Sequence, residues 1–233
     1  MEALLLLGAG LLFSLSGGGL ATYATGKLLP KLNPGDERFL QFVIGTASLQ
    51  GATILLTHFF LRHHEVGWRQ FLGLDRPGLG RILLQALATT ALATPLVLIL
   101  AAGCEQVLRL WQDTVESQSA VKVMEMALSP GRRVLFTLTS VILAPLAEEI
   151  LFRGLLYRAI RQQGHPRLAL LASSVLFSAI HLNQLAFLPF IVLALILTLL
   201  YERTNCLLAP IVTHAGFNAI NLAYFALRQS DAG

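Results

Sequence analysis

The chain has 233 residues, of which 55% are hydrophobic and only 13% are charged. A soluble globular domain carries about 25% charged residues, so this composition excludes an ordinary soluble protein and predicts a polytopic membrane protein. The net charge of +4 comes without any run of Lys and Arg, which argues against nucleic-acid binding.

Seven apolar spans predict an all-α fold, a polytopic membrane helical bundle of about seven transmembrane helices. The spans are 3–27, 39–61, 81–103, 132–157, 167–182, 185–201 and 207–227. The mixed segment 111–130 predicts an interfacial amphipathic helix. We divide this one integral membrane domain into N-terminal helices and loops at 1–130 and a core at 131–227 that carries the candidate site. The predicted location is a membrane crossed several times, the cell membrane in a bacterium.

The basic residues that flank the spans predict an orientation, because cytoplasmic loops carry an excess of Lys and Arg. Each side collects eight of them if the loops alternate, and the shorter loops favour one set as cytoplasmic. That set is Arg62, Arg69, Arg76, Arg81, Arg158, Arg161, Arg167 and Arg203. The N-terminus would then lie inside and the C-terminus outside.

The fourth span contains two adjacent carboxylates and a guanidinium, Glu148, Glu149 and Arg153, at a depth where such groups cost about 2.5–3.5 kcal/mol each. Glu149 and Arg153 share a helix face, so Glu149 is the candidate ion-paired, structural carboxylate. Glu148 is rotated about 100° from it, has no local partner and is the candidate general base. Pro145, three residues before Glu148, favours a water-lined cavity. Alternatively, the charges form an ion-pair network that only holds helices together.

Two further spans carry polar side chains at a spacing of four residues. Phe177 and His181 share a face of the fifth span, and His214 and Asn218 share a face of the seventh. We assign Phe177 to substrate binding. His181 could instead face the interface, and the pair in the seventh span could simply bond helices together. In hydrocarbon each polar group needs a partner, and one shared pocket would supply partners to all of them.

Such a pocket has the parts for water-mediated amide hydrolysis. Glu148 would take a proton from water, and His181 would help to hold or deprotonate that water. His214 and Asn218 would donate hydrogen bonds to the oxyanion of the tetrahedral intermediate.

The three motifs resemble those of the CAAX protease and bacteriocin-processing family of intramembrane endopeptidases, which includes the CAAX prenyl endopeptidases. The family pattern EExxxR, FxxxH and HxxxN stands here at 148–153, 177–181 and 214–218, and the resemblance covers about 131–226. It implies an endopeptidase with a glutamate-activated water and access from the cytoplasmic side. The implied partners are the lipid bilayer and a peptide or protein substrate, with or without a prenyl group.

The resemblance leaves a metal as an open alternative. Members of the family have been called metalloproteases, and Glu148, His181 and His214 would be the ligands of a zinc ion. The sequence contains no HExxH motif, and the two histidines lie on different spans. We therefore favour a glutamate mechanism without a cofactor.

Two functions without proteolysis are alternatives. The chain could be a membrane scaffold or immunity protein that binds a partner peptide, or a proton-coupled transporter that uses the same polar residues as a relay. A transporter of this size would more often show paired repeats, whereas the polar residues here crowd into the second half of the chain.

Overall fold

The computed structural model describes Tyr23, Lys27 and residues 33–111 and 129–230. All regular structure in these ranges is helical. The predicted first span at 3–27 and the predicted interfacial helix at 111–130 fall mostly outside the described residues, so both stay predictions.

Seven helices, α1 to α7, follow one another along the described residues. They are α1 at 34–63, α2 at Trp68–Leu72, α3 at Leu79–Arg109, α4 at Pro130–Gln162, α5 at Pro166–Ala179, α6 at Gln184–Thr204 and α7 at Leu208–Ser230. π-Helical turns interrupt α1 at Ala47–Gly51 and α4 at Thr139–Leu143 and Ile150–Tyr157.

Four helices of the described residues are long and apolar enough to cross a membrane, namely α1 (over Gly35–His63), α3, α4 and α6. They contain the predicted second, third, fourth and sixth spans. α5 is apolar but shorter, and α7 has 23 residues and carries several polar side chains. The prediction of an all-α polytopic membrane bundle is confirmed.

Side chains at the helix starts supply the caps that unpaired backbone amides need. The Ser129 hydroxyl accepts a hydrogen bond from the amide of Arg132, and Pro130 begins α4. The Asn183 side chain accepts from the amide of Ala186 at the start of α6 (2.9 Å).

α5 ends earlier than the sequence predicts. The predicted fifth span runs to residue 182, whereas α5 stops at Ala179 and Leu182 adopts a left-handed φ of 48°. Because 14 residues rise only about 21 Å, α5 ends part-way along the length of the bundle. His181 follows in the turn and therefore lies at the depth of Glu148.

α3 packs against both α6 and α7 and is part of the same bundle. The Thr213 hydroxyl of α7 donates to the carbonyl of Ala86 in α3 (3.0 Å). Gly216 faces Thr90, where an added Cβ would lie 2.8 Å from a methyl carbon. The division of the chain at residue 130 stays a prediction.

At one end of the bundle the connections between helices contact one another through α2, and we call this the closed end. Arg158 donates to the carbonyl of Phe71 in α2 (3.0 Å), and the amide of Leu207 donates to the carbonyl of Leu72 (2.9 Å). Arg161 pairs with Glu202 there. At the opposite end, which we call the far end, an ion pair between Arg132 and Asp36 joins α4 to α1.

Candidate active site

The two glutamates lie on Ala144–Glu149, a short α-helical stretch of α4 between its two π-helical turns. π-Helical turns inside α-helices are frequent at functional sites, because the extra residue changes which side chains face a given neighbour. Here the stretch directs Glu148 and Glu149 into two different environments.

Glu149 and Arg153 form a closed, fully buried cluster. Arg153 Nη1 donates to Glu149 Oε1 at 2.8 Å, and both side chains have 0% exposure. The other guanidinium nitrogens donate to the Thr198 hydroxyl (3.2 Å) and to the Ala194 carbonyl (2.9 Å) in α6. The guanidinium also lies over the ring of Phe177, 4.8 Å from its centroid. The cost of burying this charge is compensated because each of the three guanidinium nitrogens donates to an acceptor.

His214 joins this cluster from α7. Its Nδ1 lies 3.0 Å from Glu149 Oε1, and its side chain is only 4% exposed. Because an ionised carboxylate only accepts hydrogen bonds, we assign the hydrogen to Nδ1. Nε2 of a neutral His214 is then a free acceptor, and it points the other way, 3.9 Å from Glu148 Oε2.

His181 is oriented in the same manner by a backbone carbonyl. Its Nδ1 lies 2.7 Å from the carbonyl oxygen of Phe177, so Nδ1 carries the hydrogen. The rings of Phe177 and Phe190 pack against the imidazole, with centroids 5.0 and 4.7 Å away. Nε2 faces Glu148 Oε2 at 4.0 Å.

Two buried carboxylate oxygens, Glu149 Oε2 and Glu148 Oε2, have no hydrogen bond among the described residues, and that of Glu148 faces the two histidines. The Nε2 atoms of His181 and His214 lie 4.0 and 3.9 Å from Glu148 Oε2, so with both imidazoles neutral three acceptors face one another across these gaps. A water about 2.8 Å from Oε2 and from one Nε2 would donate to both with an angle of about 90°. The gap therefore fits a water.

A cavity of about 310 Å³ begins at Glu148 and extends toward the far end. Its walls are mainly apolar and come from α3, α4, α6 and α7. Four of the lining residues belong to α4 and form a stripe along it at intervals of four residues, namely Phe136, Ser140, Ala144 and Glu148. Phe177 also lines the cavity but is only 1% exposed, so its contacts are mostly with the site residues themselves.

Asn218 lines the cavity but already has a hydrogen-bond acceptor. Its Nδ2 donates to the backbone carbonyl of Ser140 in α4 at 2.9 Å. The structure thus brings Glu148, His181 and His214 together, whereas it places Asn218 one helical turn further toward the far end. Its predicted role as an oxyanion donor stays a prediction.

Comparison with known proteins supports the predicted resemblance. Residues 130–220 match the family model described as type II CAAX prenyl endopeptidase Rce1-like. The resemblance is confirmed for this segment. The match covers less than half of the chain, and together with the four long apolar helices it indicates an integral membrane protein.

A curated relative matches a shorter stretch. UPF0177 protein YxdF of Lactococcus lactis subsp. lactis (strain IL1403) is 33% identical over 78 residues. The alignment covers 33% of this chain and 42% of that relative. No solved structure matches the chain.

The Rce1-like match makes the predicted direction of access important. The cavity extends toward the end that holds Arg132, whereas the arginines predicted as cytoplasmic, such as Arg158 and Arg161, lie at the closed end. If the substrate enters from the far end, cytoplasmic access requires that the far end, and not the closed end, is cytoplasmic. The orientation stays a prediction.

A metal does not fit the three Rce1-like motif residues as they are placed. Two ligands of a tetrahedral zinc ion lie about 3.4 Å apart, whereas Glu148 Oε2 is 3.9 and 4.0 Å from the two Nε2 atoms. Among the described residues, no group of three or more His, Cys, Asp or Glu side chains could hold a metal ion. We derive no step through a metal, and metal dependence stays a prediction.

The sequence motifs missed two groups that complete the closed cluster. Thr198 and the carbonyl of Ala194 accept hydrogen bonds from Arg153, and Thr198 also bonds that carbonyl at 2.8 Å. A signal was present, because a buried guanidinium has five N–H donors and Glu149 alone cannot satisfy them. Thr198 is the one hydroxyl between Gln184 and Tyr201 in the sixth span.

Proposed function

We propose that the chain is an intramembrane endopeptidase that hydrolyses a peptide bond of a membrane-associated protein or peptide through a water activated by Glu148. The observation that carries the proposal is the unpaired Glu148 Oε2, 4.0 and 3.9 Å from two Nε2 atoms, at the base of a cavity. The family match supports a protease of this general kind.

In the proposed reaction, Glu148 takes one proton from the water while the water oxygen attacks the substrate carbonyl carbon. The C–O bond forms as the carbonyl π-bond breaks, which places a negative charge on the carbonyl oxygen. Collapse of this intermediate breaks the C–N bond, and protonated Glu148 gives its proton to the leaving amine. The immediate products are a carboxylic acid and an amine, the acid then gives its proton to the amine, and Glu148 returns to its starting state.

The two histidines take different parts in this proposal. His181 holds the water, because its Nε2 is an acceptor directed at Glu148. His214 stabilises the oxyanion, which requires a proton on Nε2 as well as on Nδ1.

The substrate of this proposal has apolar residues or a lipid chain near the scissile bond, because most of the cavity lining is apolar. The matching family is described as prenyl endopeptidases, so prenylated peptides are the first substrates to test. Peptides that carry an apolar segment without a prenyl group form the matched set.

The test is a cleavage assay of the full chain in detergent with both peptide sets, comparing the wild type with Glu148→Ala, His181→Ala and His214→Ala. We expect cleavage by the wild type and a loss of at least about 10²-fold in each variant. A wild type that binds these peptides without cleaving them would favour the scaffold function. Equal cleavage by the wild type and the three variants would refute the proposed site.

The proposed mechanism needs no metal, and this part has its own measurement. Cleavage should survive exhaustive chelation, with no stoichiometric metal found by elemental analysis of the active protein. If cleavage is lost on chelation and recovers when zinc is added, the metal-free mechanism is wrong, and a metal mechanism with Glu148, His181 and His214 as ligands takes its place.

A further inference from the structure

In α4 the carbonyl of Ser140 lacks its usual α-helical donor. At the end of the π-helical turn Thr139–Leu143, the amide of Ala144 donates to the carbonyl of Thr139, five residues earlier. The carbonyl of Ser140 therefore loses the donor that an α-helix would give it. In the π-helical register its donor would be residue 145, which is Pro145 and has no N–H.

Asn218 of α7 supplies the missing donor. Its Nδ2 lies 2.9 Å from the Ser140 carbonyl oxygen, although the two residues are 78 positions apart. In apolar surroundings a carbonyl without a donor is costly, so a side chain in this place has a definite structural task.

We propose that Asn218 is a positioning residue that replaces the backbone amide Pro145 lacks. Together with the contact between His214 and Glu149, the bond ties α7 to α4 on both sides of Pro145. Two such ties fix the rotation and depth of α4, and thereby the direction of Glu148.

A double-mutant cycle tests the proposal, because Pro145→Ala restores an amide that can bond the carbonyl. The full chain in detergent is compared as wild type, Asn218→Ala, Pro145→Ala and the double variant. In the wild-type background we expect Asn218→Ala to lower the unfolding temperature by about 3–8 °C. In the Pro145→Ala background the same change should cost less than about a quarter of that shift.

Asn221→Ala is the matched control. Asn221 lines the same cavity, but its Nδ2 donates to the carbonyl of Phe217 in its own helix. Its effect should be equal in the two backgrounds. If Asn218→Ala also lowers the unfolding temperature equally in both, the proposal is overturned. Should the single variant not fold, recovery of the double variant supports the proposal and its failure to fold overturns it.

A second readout, cleavage, rests on the proposed function and separates positioning from contact with the substrate. Asn218→Ala should lower kcat by about 10-fold or more with little change in KM, and Pro145→Ala should largely remove this loss. An equal loss of kcat in both backgrounds would mean that the amide contacts the reacting carbonyl, and would overturn the positioning role. If the wild type cleaves nothing, the proposed function fails, while the unfolding temperatures still decide the inference.

Discussion

The two faces of α4 at Glu148 and Glu149 differ in how their charges are paired, because only Glu149 has a cation and hydrogen bonds on one of its oxygens. On one face, which we call the closed face, Glu149 and Arg153 are fully buried and bond to each other, to α6 and to α7, and only Glu149 Oε2 of this carboxylate lacks a partner among the described residues. On the other face, Glu148 borders a cavity and its Oε2 has no partner among the described residues. Neighbouring residues of one type therefore have different chemistry, because the surrounding helices pair one carboxylate and leave the other unpaired.

The comparison also shows why both faces are needed. A carboxylate in apolar surroundings is reactive only if its position is fixed, and the closed face fixes α4 without using Glu148. His214 belongs to both faces, because its Nδ1 contacts Glu149 and its Nε2 faces Glu148. Changes on the closed face should therefore act on stability, and changes on the cavity face should act on rate.

The largest effect is expected for Arg153→Met. This change leaves Glu149 buried without its cation, which should lower the free energy of unfolding by about 3–5 kcal/mol. Arg109→Met is the matched control, because Arg109 pairs with Glu105 at the same spacing but both side chains are about half exposed. The control should cost less than about 1 kcal/mol by thermal unfolding in detergent. Equal effects would show that the closed face contributes no special stability.

A smaller effect, on rate alone, is expected for His181→Gln. Its side chain is 27% exposed and its Nε2 faces the cavity, so the variant should misplace the water and lower kcat by about 10²-fold. The unfolding temperature should change little. His165→Gln, at an exposed position of the closed end, should change neither quantity. A loss of stability without a loss of rate would assign His181 to the closed face instead.

The smallest effect is expected behind the closed face, at Gly154. An added Cβ there would lie 2.8 Å from Phe71 Cζ and 3.2 Å from Leu207 Cδ1. Gly154→Ala should therefore lower the free energy of unfolding by about 1–3 kcal/mol. Gly103→Ala meets no atom within 4 Å and should be neutral or slightly stabilising. A stabilising Gly154→Ala would mean that α2 is not packed against α4.

Residue spacing in the sequence predicted the pairing of Glu149 with Arg153, because a spacing of four residues is a local property of a helix. The early end of α5 was not predictable in this way, since Ile180 and Leu182 are as apolar as the residues before them. The bond from Asn218 to Ser140 was hidden for a different reason. It depends on a π-helical turn and on Pro145, and neither the register of a backbone nor a contact across 78 residues is visible in hydropathy.

The central claim is that Glu148 acts on rate and Glu149 on stability. Its most direct test compares Glu148→Gln with Glu149→Gln, two substitutions of nearly equal size at adjacent positions. For each variant, the unfolding temperature and the single-turnover cleavage rate are measured on the same preparation. We predict that Glu148→Gln keeps the wild-type unfolding temperature and loses about 10²–10⁴-fold in rate. Glu149→Gln should lower the unfolding temperature, because it leaves Arg153 buried without a counter-charge. A Glu148→Gln variant that cleaves as fast as the wild type would contradict the account.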